Sequence, residues 1–389
     1  MWGQFRDRWR AYDPYLAALA IYLTSRLVIA WAMNIATYVV AHGSHSAAWD
    51  TSSSWYHYLL RWDSGWYLDI VEHGYQYNGD NLVQQPVVFY PLYPLLAKAL
   101  TIIPGTDAFL ALLIVANIAA LIAVLLLFEY VRRNFGDDVA LLTVAFLSFF
   151  PTSLFLSAGY TESLTLLLIV CFFLFLRREQ YFVAAVFAGL TLATRSTGLV
   201  LLPVIVWELW GRFGNDRRRF ISYTLICSVL AASGLWLFMI YLWAAFDSPL
   251  AFASNQAAWE GGQGGLVHNF VAALLLKGFF PLPLPIGPFT LDIWLFLLFL
   301  ALLLVFRKWM SSSLFIFALG ILVLPYLTRT GGPERFVSMA RYLLLAFPVF
   351  IVLARLCANR LWLVPCITGA FAGLLFMYSA LYAQWYWAG

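Results

Sequence analysis

Apolar runs of about 20 residues, parted by short polar stretches, recur along the chain, and about 20 apolar residues is the length an α-helix needs to cross hydrocarbon. The period-two alternation of a membrane barrel is absent from them, and inside lipid only helices otherwise satisfy every backbone group. The pattern predicts an all-α polytopic membrane protein forming a single domain over residues 1–389. About eleven spans are expected, near 14–41, 106–131, 138–158, 162–177, 181–195, 197–210, 220–246, 289–306, 311–327, 341–357 and 361–386. Polar material gathers in loops at 42–87, 247–288 and 328–340 and in the turn Ala158–Ser163.

One segment decides the topology. "FYPLYPLLAKALTIIPG", Phe89 to Gly105, barely reaches across a bilayer and is interrupted by Pro91, Pro94 and Lys98. If it lies in the interface or re-enters, five basic clusters fall on one side: Arg132/Arg133, Arg177/Arg178, Arg212 with Arg217 to Arg219, Arg307/Lys308, and Arg360. By the positive-inside rule that side is cytoplasmic, together with Arg6, Arg8 and Arg10 before the first span. The polar loops then face the non-cytoplasmic side. The first apolar run is too long for a signal peptide and is read as a retained span.

Composition agrees. The chain is 63% apolar and 11% charged, with a mean hydropathy of +0.82, where soluble domains carry about 25% charged residues. Its net charge of +4 comes from the basic clusters between spans, so no nucleic-acid partner is implied. Cys171, Cys227, Cys357 and Cys366 sit in or beside apolar runs without a ligand-like neighbour, which argues against a disulfide framework or a metal site. His42, His45 and His57 lack a matched fourth ligand, and the glycine-rich stretch Gly261 to Gly265 lacks the Lys-Ser/Thr of a nucleotide loop, leaving a substrate lid as its better reading.

Against this background "RWDSGWYLDIVEHGY", Arg61 to Tyr75, concentrates charge and aromatic rings beside the membrane. As an interfacial helix it would place Trp62, Trp66, Asp69 and His73 on one face and Asp63, Tyr67, Ile70 and Gly74 on the next, with Arg61, Leu68 and Glu72 turned away. An aromatic belt with solvated charges is one reading. A carboxylate held near apolar surface to act as a general base is the other, and Asp63 suits it.

These residues, followed by "VVFYPLYPLL", resemble the signature of the PIG-V family of GPI-anchor mannosyltransferases and their prokaryotic relatives. "SAGYTESLTLLL", "FDSPLAFASNQAAW", "MARYLLLAFPVF" and Ser25-Arg26 in the first span fit in the same order, so the resemblance covers most of the chain. Departures are Val71 and Glu72 after Ile70, and Tyr90 where a second Phe is usual.

The resemblance implies a GT-C glycosyltransferase bundle with interfacial helices in its first external loop and an active site on the non-cytoplasmic face. The host membrane would be the cell membrane in a prokaryote or the endoplasmic reticulum in a eukaryote. It implies an inverting transfer from polyprenyl-phosphate mannose to a lipid-linked glycan acceptor among membrane lipids, with no cofactor or metal required. Other prenyl-linked sugars remain open within that class. A lipid transporter or flippase is the rival from outside it, and would predict paired ionisable residues at the midplane and an internal repeat, which the sequence lacks.

On this reading Asp63 is the general base and Asp69 the second choice. Arg341, Arg335 and Arg195 are the candidate receptors of the donor phosphate, since guanidinium forks match phosphate oxygens. Interface anchoring is the plainer role for Arg341 and Arg335, and pairing with Glu162 the plainer role for Arg195. Candidate sugar or acceptor contacts are Trp62, Trp66, Tyr67, His73, Tyr160, Glu162, Gln256 and Trp259. Thr161 is expected to cap the helix that follows, and Arg26, costly in lipid, to face Asp63 or Asp69.

Overall fold

Three aspartates open three of the long helices. In the computed structural model, which describes residues 13–43, 55–259, 290–328 and 338–387 together with Val271 and Phe336, Asp13 caps α1 (Pro14–Val39) by accepting from the Tyr15 N–H at 2.9 Å. Asp107 caps α4 (Ala108–Phe135) through Leu110, and Asp216 caps α9 (Arg217–Phe246) through Arg219. With α16 (Leu363–Ala383), these are long and apolar enough to cross a membrane. Shorter apolar helices complete the bundle: α5 (Asp137–Phe149), α6 (Glu162–Arg177), α7 (Tyr181–Leu192), α8 (Leu201–Phe213), α12 (Thr290–Val305), α13 (Ser312–Thr328) and α15 (Phe347–Ala358).

Prolines shorten two of the expected spans. The run at 138–158 stops at Phe149, because Pro151 follows and cannot continue the ladder. The run at 341–357 splits into α14 (Met339–Leu343) and α15, with Pro348 in the first turn of the second piece. Two short helices, α2 (Ser64–His73) and α3 (Leu92–Leu100), lie between α1 and α4. At 1.5 Å per residue α3 is about 14 Å long, well short of a bilayer. Its Lys98 ammonium donates to the Val71 carbonyl at 2.6 Å, tying it to the end of α2.

Helix α1 runs antiparallel to α4. The Tyr15 hydroxyl, at the start of α1, donates to Glu129 near the end of α4, and Glu129 also receives Arg132 at 3.0 Å and Arg133. The chain between the two helices therefore leaves and re-enters at the same end of the bundle. The segment Phe89–Gly105 does not cross.

A large apolar core joins α4 to α8 with α12 to α15. A second cluster, including Tyr67, Tyr93, Tyr160 and Tyr382, packs α2 and α3 against α1, α4 and α16. Helices α7 and α9 cross in contact at Gly189 and Gly234, where a Cβ on Gly234 would lie 2.1 Å from the Gly189 carbonyl oxygen. Arg26 faces neither Asp63 nor Asp69. Its guanidinium donates to the Ser148 and Ser153 carbonyls at 3.0 and 2.9 Å and to the Ser153 and Ser157 hydroxyls at 3.0 Å. The break after α5 leaves carbonyls without helical donors, and Arg26 supplies them.

Candidate active site

Two buried tyrosines hold the backbone that carries Asp63. The Asp63 N–H donates to the Tyr160 hydroxyl at 3.2 Å, and that hydroxyl donates to the Arg61 carbonyl at 3.1 Å. The Tyr382 hydroxyl, from the last turn of α16, grips Arg61 from the other side, accepting from its N–H at 3.1 Å and donating to its carbonyl at 3.2 Å. Between them Trp62 takes a left-handed φ of 55°, a conformation uncommon for a bulky residue, and turns the chain into α2. Gly159 fits beneath this loop, donating to the Leu59 carbonyl at 3.0 Å, where a Cβ would come within 2.5 Å of the Leu60 side chain.

Arg61 and Leu68, which helical phase sets off both the face of Trp62 and the face of Asp63, are buried all the same. Helix α2 starts at Ser64, so Arg61 lies before it and escapes its periodicity. Its guanidinium donates to the Ala383 and His57 carbonyls at 3.3 and 3.2 Å. Ala383 ends α16, so the cation sits at the negative end of a helix dipole. Leu68 is covered because α2 is embedded on a broad face in the second apolar cluster.

Asp63 occupies the N-cap position of α2, yet its side chain caps nothing. It accepts instead from Arg341 Nη1 at 3.2 Å. Arg341 Nε donates at 2.9 Å to Glu162 Oε1, and the same oxygen accepts from Arg195 Nη1. Four side chains thus alternate in sign: Arg195, Glu162, Arg341, Asp63. Their burial is graded. The Glu162 side chain is 0% exposed, Arg341 7%, Arg195 12% and Asp63 26%, so Asp63 is the end that reaches solvent.

The chain positions each member separately. Glu162 opens α6; Thr161 before it makes no side-chain cap, because its hydroxyl is directed to Arg195 Nη1 at 3.3 Å. Arg195 comes from the turn after α7 and lies over the Tyr342 ring at 4.6 Å. Arg341 stands on α14 over the Phe155 and Tyr160 rings at 4.9 and 4.8 Å, a cation–π seat. Both hydrogen-bonding groups of the preceding Ala340 are held: its N–H by Asp292 Oδ1 at 2.6 Å, its carbonyl by the Thr152 hydroxyl at 2.9 Å.

Burial alone would pull the Arg341 pKa down, but Glu162 and Asp63 more than offset it and hold the guanidinium well above its ordinary value. Arg195 is raised likewise, desolvation being outweighed by Glu162. Burial also pushes the Tyr67 and Tyr160 phenols up, so both stay neutral donors. Glu162 Oε2 has no hydrogen-bond partner among the described residues, although it is fully buried. The group can therefore present two fixed cations and, at the open end, one carboxylate.

The remaining expected residues scatter around this quartet. Trp62 packs edge-on to Trp385 and Trp387. Trp66 stacks on Phe89 and meets Trp259 edge-on, and Tyr67 is buried between Phe89 and Tyr93. Asp69 is not brought to the arginines; it pairs with His73 at 3.0 Å on an exposed face. Gln256 is exposed at the start of α11 (Gln256–Trp259), which follows α10 (Ala251–Ser254). Arg335, His45 and Gly261 to Gly265 lie outside the described residues. Among the described residues no three His, Cys, Asp or Glu side chains gather as metal ligands do.

Tyr382, Asp292, Thr152 and Phe155 were not singled out from the sequence. Asp292 carried a signal, being a carboxylate in the first turn of an apolar run, where an ionisable residue is expensive without a task.

Residues 84–243 match the family described as dolichyl-phosphate-mannose-protein mannosyltransferase. GPI mannosyltransferase 2 from two strains of Cryptococcus neoformans var. neoformans serotype D is 30% identical over 237 residues, 55% of this chain and 54% of the relative. The chain thus spans about half the length of the curated relatives it matches. Among solved structures, ArnT from Cupriavidus metallidurans in the apo state aligns over 88% of this chain and 59% of its own, with a TM-score of 0.45 and 14% identity. The oligosaccharyltransferase AglB from Archaeoglobus fulgidus, in complex with an inhibitory peptide and a dolichol-phosphate, aligns over 94% and 55%, with a TM-score of 0.48 and 16% identity.

Proposed function

We propose that this membrane protein, similar to GPI mannosyltransferase 2, is a mannosyltransferase of the GT-C type that carries out an inverting transfer of mannose from a polyprenyl-phosphate donor to a lipid-linked glycan acceptor. One observation carries the reading: Arg341 bridges a fully buried glutamate and a partly exposed aspartate, putting a phosphate receptor and a proton acceptor on one short chain of contacts.

In the proposed step Asp63 takes the proton of the acceptor hydroxyl as its oxygen attacks the anomeric carbon. The bond from that carbon to the phosphate oxygen breaks, its electron pair leaves with the phosphate, and the configuration inverts. Arg341, with Arg195 behind it, receives the anion; a phosphate departs without needing a carboxylic acid to protonate it. Glu162 keeps the two guanidinium groups side by side before the phosphate arrives. A sugar ring cannot fit between groups 3.2 Å apart, so productive binding parts Asp63 from Arg341 and turns Nη1 toward the phosphate. Tyr160 and Tyr382 keep the Asp63 backbone in place meanwhile.

We place this chemistry on the non-cytoplasmic side. Glu162 opens α6 at the quartet and Arg177 closes it, so one of the basic clusters lies at the far end of a helix about 24 Å long. The test is direct. Purified protein is incubated with polyprenyl-phosphate mannose, its glucose, galactose and arabinose counterparts, and a native lipid extract, and products are identified by mass. A hexose added to a glycolipid from the mannose donor supports the reading; no product from any donor overturns it.

A further inference from the structure

Helix α2, which starts next to Asp63, and the loop that follows it line an open cleft of about 340 Å³ whose wall includes Trp66, Asp69, Gln76, Asn78, Gln84 and Gln85. We propose that this cleft holds the part of the acceptor glycan that precedes the sugar being extended, so that the enzyme reads a short neutral oligosaccharide rather than one terminal residue. The proposal rests on the mannosyltransferase reading above and adds a binding site to it.

The chemistry of the wall selects the ligand class. Side-chain amides offer a donor and an acceptor each, which matches hydroxyl groups that do both. Trp66 supplies an aromatic surface for the apolar face of a pyranose ring. Among the described residues that line the cleft none is a lysine or arginine and the one charged group is the carboxylate of Asp69, so a phosphate or an anionic lipid headgroup finds no cation there. The polar wall is equally unsuited to a prenyl tail. The volume falls at the low end of small-ligand sites, about 300–1,000 Å³.

The cleft is also built before any ligand arrives. Gln85 is buried and fully used: Nε2 donates to the Asp80 carbonyl at 2.6 Å, Oε1 accepts from the Asn78 N–H at 2.8 Å, and its own N–H donates to Asn255 Oδ1 at 3.2 Å. Asn255 Nδ2 in turn donates to the Val83 carbonyl at 2.8 Å, fastening the loop to the segment that bears Trp259. By contrast Gln76 and Gln84 are exposed, and among the described residues their side chains make no hydrogen bond. Two amides stand open on a loop that the neighbouring residues hold rigid. Trp66 follows Asp63 by three positions, a rise of about 4.5 Å along the helix, so the cleft wall and the Asp63 carboxylate are carried by the same first turn of α2.

The test measures binding and transfer separately, with the full chain in lipid nanodiscs. Saturation-transfer NMR without donor compares methyl α-mannoside, mannobiose and mannose 6-phosphate on the wild type and on the double variant Gln76→Ala/Gln84→Ala, both exposed positions where folding is not at stake. Mannobiose should bind more tightly than the monosaccharide, the sugar phosphate at least about tenfold more weakly than mannobiose, and the double variant should lose about tenfold for mannobiose. In transfer assays the variant should raise the KM for a glycolipid acceptor and keep kcat. No saturable mannobiose binding, equal binding by the variant, or a preference for the sugar phosphate overturns the cleft assignment. Transfer that continues despite such a result leaves the enzymatic reading intact, whereas normal transfer by an Asp63→Asn variant that still binds mannobiose removes the base and leaves the cleft standing.

Discussion

Replacing Asp63 by Asn separates catalysis from folding, because the structure gives the two effects different sizes. Asparagine keeps the shape and an oxygen able to accept from Arg341 Nη1, and removes only the charge and the ability to take a proton. The side chain is 26% exposed, caps no helix and, among the described residues, makes one hydrogen bond, at 3.2 Å. A partly exposed pair of that kind contributes roughly 0–1 kcal/mol, so Tm should fall by a few degrees at most. Loss of a general base costs about 10²–10⁴ in rate, or about 2.7–5.4 kcal/mol at 1.36 kcal/mol per decade. Transfer from polyprenyl-phosphate mannose and thermal unfolding by intrinsic fluorescence, measured on one preparation, put both numbers side by side. A rate within tenfold of wild type refutes the base assignment. A large fall in Tm would instead make Asp63 a structural ion-pair member.

Glu162→Gln should do the opposite: it strips the shared partner from two buried guanidinium groups, and about 3–5 kcal/mol of stability should go with it, visible as a large fall in Tm before activity is considered. Arg341→Lys keeps the charge but cannot reach Glu162 and a second acceptor with a planar fork; losing one charged hydrogen bond, about 1.5–3 kcal/mol, should cut kcat/KM by about tenfold to a hundredfold with Asp63 intact. Gly234→Ala, far from the quartet, drives a methyl group into the Gly189 carbonyl and should lower stability by about 1–3 kcal/mol through the α7–α9 contact, read as a shifted unfolding midpoint with unchanged KM for donor.

The readable features of this chain are those with a local cause. Aspartates ahead of apolar runs announce helix starts at 13, 107 and 216. Prolines and Lys98 announce that residues 89–105 do not cross, and the antiparallel α1 and α4 agree. The cost of charge in an apolar chain also singles out Asp63, Glu162, Arg195 and Arg341 as residues with a task. Helical phase does not govern Arg61, because the helix begins three residues later than the motif does.

Pairing is a different matter, since the cost of burying a charge demands a partner without naming one. Asp63 and Arg341 are 278 residues apart, and Asp69, Asp292, Arg26 and Arg61 are equally plausible mates by composition alone. The arginines sort themselves by where helices end. Arg26 and Arg61 each donate to carbonyls near a helix terminus, at Ser148 and Ala383. Arg195 and Arg341 meet at the first residue of α6, where a carboxylate at a helix start also faces a favourable dipole. The break after Phe149 frees the Ser148 carbonyl for Arg26, and Arg341 is buried on α14, a short helix set apart from α15. The helix interruptions that make this bundle irregular are therefore what leave two arginines and one partly exposed carboxylate together.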